Sequence, residues 1–274
     1  MIPIEFLEIY ITVLVFLFGA CWGSFLNVCI YRIPEELSVV QPSSRCPHCL
    51  TPIAWYDNIP ILGWLKLRGK CRSCKAPISP RYMLVELLTA ILFLLVWMTY
   101  GLQLKTIIYC FVIFGLLLAT FIDLDYMIIP DRVSIGGMCM GPVFSMLVPA
   151  LHGEPSWLLG LKSSLIGLAA GFGSLWLVSK IGAAIFKKDA MGFGDVKLLG
   201  AIGAFMGWQA VLFVIMGSSL LGSIVGLGLI ATGRTEASGR IPYGPYIALA
   251  AVIWLLGGYE LWDWYVGLIT GQPA

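Results

Sequence analysis

Residues 104–131 read LKTIIYCFVIFGLLLATFIDLDYMIIPD, an apolar run that closes on three carboxylates, Asp123, Asp125 and Asp131. From Thr106 to Ile122 no charged side chain interrupts it. That is close to the roughly 20 residues a helix needs to cross a bilayer. A helix is the structure such a run must adopt in lipid, because it satisfies every backbone N–H and C=O within itself. The acids at its end then stand at the membrane face, where charge is costly and usually serves a function.

Similar windows recur near 7–30, 83–100, 104–122, 132–150, 158–186, 195–207, 208–231 and 243–268. The window at 195–207 is short for a crossing, so it either tilts or runs into the next through a corner at Gly207–Trp208. A seven-segment chain with a re-entrant piece therefore stays open. The composition agrees with a membrane protein: of 274 residues, 59% are hydrophobic and 12% charged, with a mean hydropathy of +0.91. Charge density is about half that of a soluble domain. The 31 Gly and 15 Pro follow no period, which excludes collagen-like and low-complexity chains. The expected fold is an all-α polytopic membrane protein of about eight transmembrane helices with a small cytoplasmic zinc-knuckle loop domain. Its divisions are a first helix over 1–31, the loop over 32–82 and a transmembrane domain over 83–274.

Lys and Arg set the orientation, because short loops rich in them stay in the cytoplasm. With eight crossings, one side receives the 31–82, 123–131, 180–197 and 232–242 stretches. Of 17 Lys and Arg, only Lys105 and Lys162 fall outside these stretches and their edges. Both termini are therefore expected outside, with the four loops in the cytoplasm. The first apolar segment lacks a basic flank before it and a persuasive cleavage site after it, so it reads as a retained anchor. A net charge of +2 gives no sign of a nucleic-acid partner. No internal repeat is evident.

The largest loop holds Cys46-Pro-His-Cys49 and Cys71-Arg-Ser-Cys74. Two residues between cysteines let both thiolates of one turn face a tetrahedral ion, and two such knuckles complete a four-sulfur structural zinc site. The separation of the two pairs is slightly beyond the usual zinc-ribbon range. Disulfides or a redox pair are the rival reading, and the reducing cytoplasm argues against them. His48 could compete as a ligand, but four sulfurs already satisfy the ion. A loop this small buries little apolar surface, so metal would supply much of its folding free energy. Cys21, Cys29, Cys110 and Cys139 fall in spans and read as small packing residues.

The second acidic cluster is Gly192-Phe-Gly194-Asp195-Val-Lys197, at the opening of the sixth window. Two carboxylates from different helices can share one proton, since adjacent like charges do not both ionise easily. Such a pair can hydrolyse a peptide: one takes a proton from water while the other protonates the carbonyl oxygen. The glycines before Asp195 would admit substrate backbone. Each acid also has a structural reading. Asp131 after Pro130 looks like a helix N-cap; Asp125 is either solvated or assists the pair; Asp195 could cap its helix; Asp123 could pair with Lys197. Glu86 could bind the loop or line a pocket.

These residues resemble those of the type IV prepilin leader peptidases, bifunctional membrane enzymes among the GxGD aspartyl proteases. The resemblance covers nearly the whole chain: Gly23 to Pro34 with Asn27 and Arg32, both cysteine pairs, Asn58-Ile-Pro60, Arg81-Tyr82 with Glu86, Ile122-Asp123-Leu-Asp125 through Asp131, Gly192 to Gly200, and Pro242-Tyr-Gly244-Pro245. It implies that Asp123 and Asp195 are the catalytic pair, and that Cys46, Cys49, Cys71 and Cys74 bind zinc. It also implies removal of the basic leader from prepilins or pseudopilins at the cytoplasmic face of the bacterial inner membrane. The new N-terminal amine is then methylated from S-adenosylmethionine, an activity linked to the cysteine loop. No glycine-rich cofactor loop is recognisable, so the residues that hold the methyl donor are unassigned. Asn27 and Arg32 could touch substrate or cofactor, or Arg32 could simply anchor the first helix. A monomer is the default.

Two other classes compete. In an ion- or proton-coupled transporter, Asp123 and Asp195 would bind the coupling ion, but polar groups would then be expected at mid-bilayer. In a scaffold, the zinc loop would recruit a partner and the carboxylates would be dispensable.

Overall fold

A computed structural model describes residues 4–187, 191–233 and 241–271. Lys188, Arg234 and Arg240, which entered the charge argument, lie outside the described residues. The chain divides into two compact units, Met1–Thr106 with Cys110–Phe114, and Ile107–Tyr109 with Gly115–Ala274.

In the first unit, α1 (Ile4–Arg32) leads into the loop, which carries a short α2 (Leu62–Lys66) and ends at α3 (Arg81–Tyr100). α1 and α3 pack antiparallel and nearly backbone to backbone. A Cβ on Gly19 would lie 2.8 Å from the Ala90 Cα, and one on Gly23 would lie 2.6 Å from the Glu86 Cα. In lipid, where apolar burial between helices gains little, such small-residue contacts drive association through dispersion. One turn further, Asn27 Nδ2 donates to the Tyr82 carbonyl at 2.9 Å. The Trp22 ring meets Phe111 and Phe114 edge-on, with centroids 5.5 and 5.2 Å away.

The second unit contains most of α4 (Leu104–Tyr126), then α5 (Asp131–Leu147), α6 (Trp157–Phe186) and α7 (Phe193–Ala231). α8 (Gly244–Ile253), a π-helical turn (Trp254–Gly258) and α9 (Tyr259–Thr270) complete it. Among the described residues there are no strands, only the isolated bridges Arg45–Pro52 and Lys70–Pro77. Among the described residues, six helices are long and apolar enough to cross a membrane, and the 39-residue α7 is one of them. A straight helix of that length would be about twice the ~30 Å hydrocarbon core. It does not run straight. Gly207 adopts φ 83° and ψ 175°, a region essentially restricted to glycine. Beyond it the chain turns back, so that Val211 Cγ2 would lie 2.9 Å from a Cβ on Gly203, a pair that a straight helix would hold about 12 Å apart. The sixth and seventh sequence windows are thus the two arms of α7, 193–206 and 208–231. Counted separately, and with the 17-residue α5, they bring the six to eight segments.

The first arm of α7 forms the core of its unit: Val196, Leu198, Leu199, Ile202 and Ala204 are all buried. Just before its corner, side chains bond the Ala204 carbonyl: Ser164 Oγ donates to Ala204 O at 2.7 Å and Ser145 Oγ at 3.4 Å. His152 Nε2 in turn meets Ser145 Oγ at 2.8 Å. Interrupted helices persist in lipid only where neighbours satisfy the freed backbone in this way.

Candidate active site

α4 stops just after its acids. Met127 N–H donates back to the Asp123 carbonyl at 2.9 Å, Met127 takes a positive φ of 54°, and Pro130 is extended at ψ 136°. The turn drives Ile129 inward, where it is buried. Asp123 is 6% exposed and Asp195, in the first turn of α7, is 8% exposed, whereas Asp125 is exposed. Ile129 ties the two acids to one place: its Cβ would lie 3.0 Å from a Cβ on Gly194, and its Cδ1 3.2 Å from one on Gly244. Asp123 bears electrostatically on Asp195. A third element joins them, since the Gly244 N–H at the start of α8 donates to Asp123 Oδ2 at 2.9 Å.

The structural alternatives for the acids resolve differently from the sequence reading. Asp131 is not a cap: Pro130 holds the N-cap position without a side-chain bond, and the Asp131 carboxylate pairs with Lys197 of α7. Asp123 therefore has no claim on Lys197. Gly192 occupies the cap position of α7, so Asp195 does not cap it. Its Oδ2 lies where a Cβ on Gly192 would come within 3.1 Å, and the glycine leaves that space open.

The four cysteines converge as expected. Their sulfurs all lie within 4.8 Å of one another, with Cys46–Cys74 at 3.8 Å and Cys49–Cys71 at 3.9 Å. Tetrahedral zinc with Zn–S bonds of about 2.3 Å would set these edges near ~3.8 Å. All four are free thiols; a disulfide would need about 2.05 Å. His48 is outside the cluster. The four thiols are unequal: the Thr51 hydroxyl and then its backbone amide hold Cys49 down at about 6, while, against a bond from the Ala76 backbone, burial and the neighbouring thiols push Cys74 up to about 11.

The knuckles also form an internal repeat that the sequence reading missed. Cys46 N–H donates to Thr51 O and Leu50 N–H to Cys46 O, while Cys71 N–H donates to Ala76 O and Lys75 N–H to Cys71 O. Leu50 and Lys75 take matching φ values of 58° and 59°. The signal was present as C-x-x-C-x-x-P at Cys46–Pro52 and Cys71–Pro77.

Other groups fix this loop. Arg72 grips Asp57 with two bonds of 2.5 Å, and that grip holds the Asp57 carboxyl below its usual range. Arg32 donates to the Ser38 and Pro42 carbonyls at 2.9 and 2.7 Å, so it binds the loop it precedes. Glu86 accepts the Ile61 N–H at 2.6 Å.

Comparison with known proteins bears on all of this. The bacterial peptidase A24 N-terminal domain matches residues 17–100, and the type IV leader peptidase family matches 110–227. The prepilin leader peptidase/N-methyltransferase of Aeromonas hydrophila is 40% identical, over 92% of this chain and 93% of its own. The chain belongs to the type IV leader peptidase family. A second relative of the same name, from Aeromonas salmonicida, is 39% identical over 93% of this chain and 94% of its own. One from Myxococcus xanthus is 41% identical over 81% and 64%. No solved structure matches the chain. In this leader peptidase, the two matched domains fall largely on the two compact units, and the chain is a multi-pass membrane protein.

Proposed function

We propose that the protein is an integral-membrane aspartyl endopeptidase that removes the basic leader of prepilins or pseudopilins and methylates the new N-terminus. The observation that carries this reading is the convergence of Asp123 and Asp195, from α4 and α7, beside the start of α8. The relatives' name supplies the substrate class.

Both acids stand at helix ends, Asp123 in the last turn of α4 and Asp195 in the first of α7. That favours a cut at the membrane face over ion coupling at mid-span. The substrate's apolar helix lies laterally in the bilayer while its basic leader stays in the cytoplasm, on the inner membrane. Cys46, Cys49, Cys71 and Cys74 would hold zinc, which when bound closes the loop over 32–82 and takes no part in hydrolysis. S-adenosylmethionine is the methyl-donating co-substrate. The functional divisions are the first helix over 1–31, that loop, and a peptidase domain over 83–274, acting as a monomer.

The test is mass spectrometry of a peptide with a basic leader, a Gly-Phe junction and an apolar helix, incubated with purified protein in detergent. Leader loss is expected, with a gain of one methyl only when S-adenosylmethionine is present. Asp195→Ala should abolish leader loss in correctly inserted protein. Normal cleavage by that variant would remove the acid pair from the mechanism.

A further inference from the structure

We infer that the first amide of α8 divides the work of the two carboxylates, making Asp123 the ionised, water-activating member and Asp195 the proton-bearing one, with Gly244 as the positioning residue. The inference rests on the acid-pair reading above.

Gly244 opens α8, a helix of 10 residues, and its N–H donates to Asp123 Oδ2 at 2.9 Å. Opening amides of a helix lack internal acceptors and carry partial positive charge. A bond from such a donor is strongest to a carboxylate. Asp195 also lies in a first helical turn, but among the described residues no donor binds its side chain. The two acids, alike in residue type and burial, are thus unequal in hydrogen bonding. Lys197, two residues on from Asp195, pairs with Asp131.

The donor is held in place. Tyr243 Oη meets Ser218 Oγ at 2.7 Å and Ser219 Oγ at 3.3 Å, both on α7, and Pro245 follows in the first turn. A Cβ at position 244 would lie 2.7 Å from Asp123 Oδ2, so a side chain there displaces that carboxylate from the amide.

The proton path then closes. Asp123 takes a proton from water as the water oxygen bonds to the scissile carbonyl carbon, and Asp195 gives its proton to the carbonyl oxygen as the C=O π bond opens, forming a neutral diol. Asp123 returns its proton to the leaving nitrogen while Asp195 takes one from a diol hydroxyl. The C–N bond breaks to acid and amine, and both carboxyl groups regain their starting states.

The test is steady-state cleavage of the leader peptide by Asp123→Asn, Asp195→Asn and Gly244→Ala, with Asp123→Ala and Asp195→Ala beside them. Asn at 195 still donates an N–H to the carbonyl oxygen, whereas Asn at 123 cannot take a proton from water. Asp195→Asn should therefore cleave at least about tenfold faster than Asp123→Asn. Gly244→Ala should lower kcat about ten- to hundredfold, the worth of one charge-assisted bond, with KM within about twofold. Equal loss in the two Asn variants, greater loss at 195, or an unchanged kcat in Gly244→Ala would overturn the assignment and leave the pair standing. Cleavage by both Ala variants would overturn the pair itself. Should Gly244→Ala fail to fold, the isosteric Asn variants decide alone.

Discussion

At the scale of single residues, charge and thiol chemistry carry the argument. Cys46→Ser with Cys49→Ser removes two of four sulfurs that already stand at tetrahedral spacing. Zinc measured by elemental analysis should fall from about one per chain to near zero, because two remaining thiolates make a poor site. Retention of full zinc would refute the four-sulfur centre. Glu86 offers a second expectation. It accepts the N–H of Ile61, a β-branched residue at φ 64°, where side chains rarely sit. Glu86→Ala strands that amide and should loosen the loop, seen as faster hydrogen exchange over 58–66, while Glu86→Gln keeps an acceptor and should restore protection. Residue types and spacings announced the cysteines and the acidic pair. Partners were less legible: Lys197 sits within two residues of Asp195 in the chain, yet it pairs with Asp131 from another helix.

At the scale of elements, α7 is the organising piece, because one arm carries Asp195 at its tip and is pinned at the other end. The pin is the Ser145, Ser164 and His152 cluster around Ala204. Burial holds the His152 imidazole below its ordinary value, so folding favours the neutral form. The stability this contributes is complete above the unfolded value, roughly 6.5, and is lost as pH falls below it. Thermal unfolding in detergent should therefore shift to lower temperature below about pH 6.5, and His152→Gln should flatten that dependence. Gly207→Ala should destabilise by roughly 1–3 kcal/mol, since alanine is strained at this φ and ψ. The sequence left two readings for the 13-residue apolar window, a tilted crossing or a corner at Gly207–Trp208, and the structure has the corner. Nothing in the sequence announced the serines and histidine that complete the corner, which come from α6 and from the end of α5 and its following turn.

At the scale of the whole molecule, the loop and the acid pair lie in separate compact units. Loosening one should spare the other. The Cys46→Ser, Cys49→Ser variant should still remove leaders while its product gains less methyl, read in the same mass spectra. Parallel loss of both activities would show that the units act as one.

What the sequence by itself determined was everything fixed by covalent spacing: apolar windows of membrane length, the side on which Lys and Arg collect, and cysteines two residues apart. These depend on neighbours along one chain segment, so no fold was needed to read them. Which faces of the helices meet was decided only by the tertiary structure. In lipid a helix satisfies its own backbone and is apolar on most sides, so its sequence carries little amphipathic signal for packing. Asp123 therefore finds the Gly244 amide 121 positions away, through a contact that no local pattern encodes.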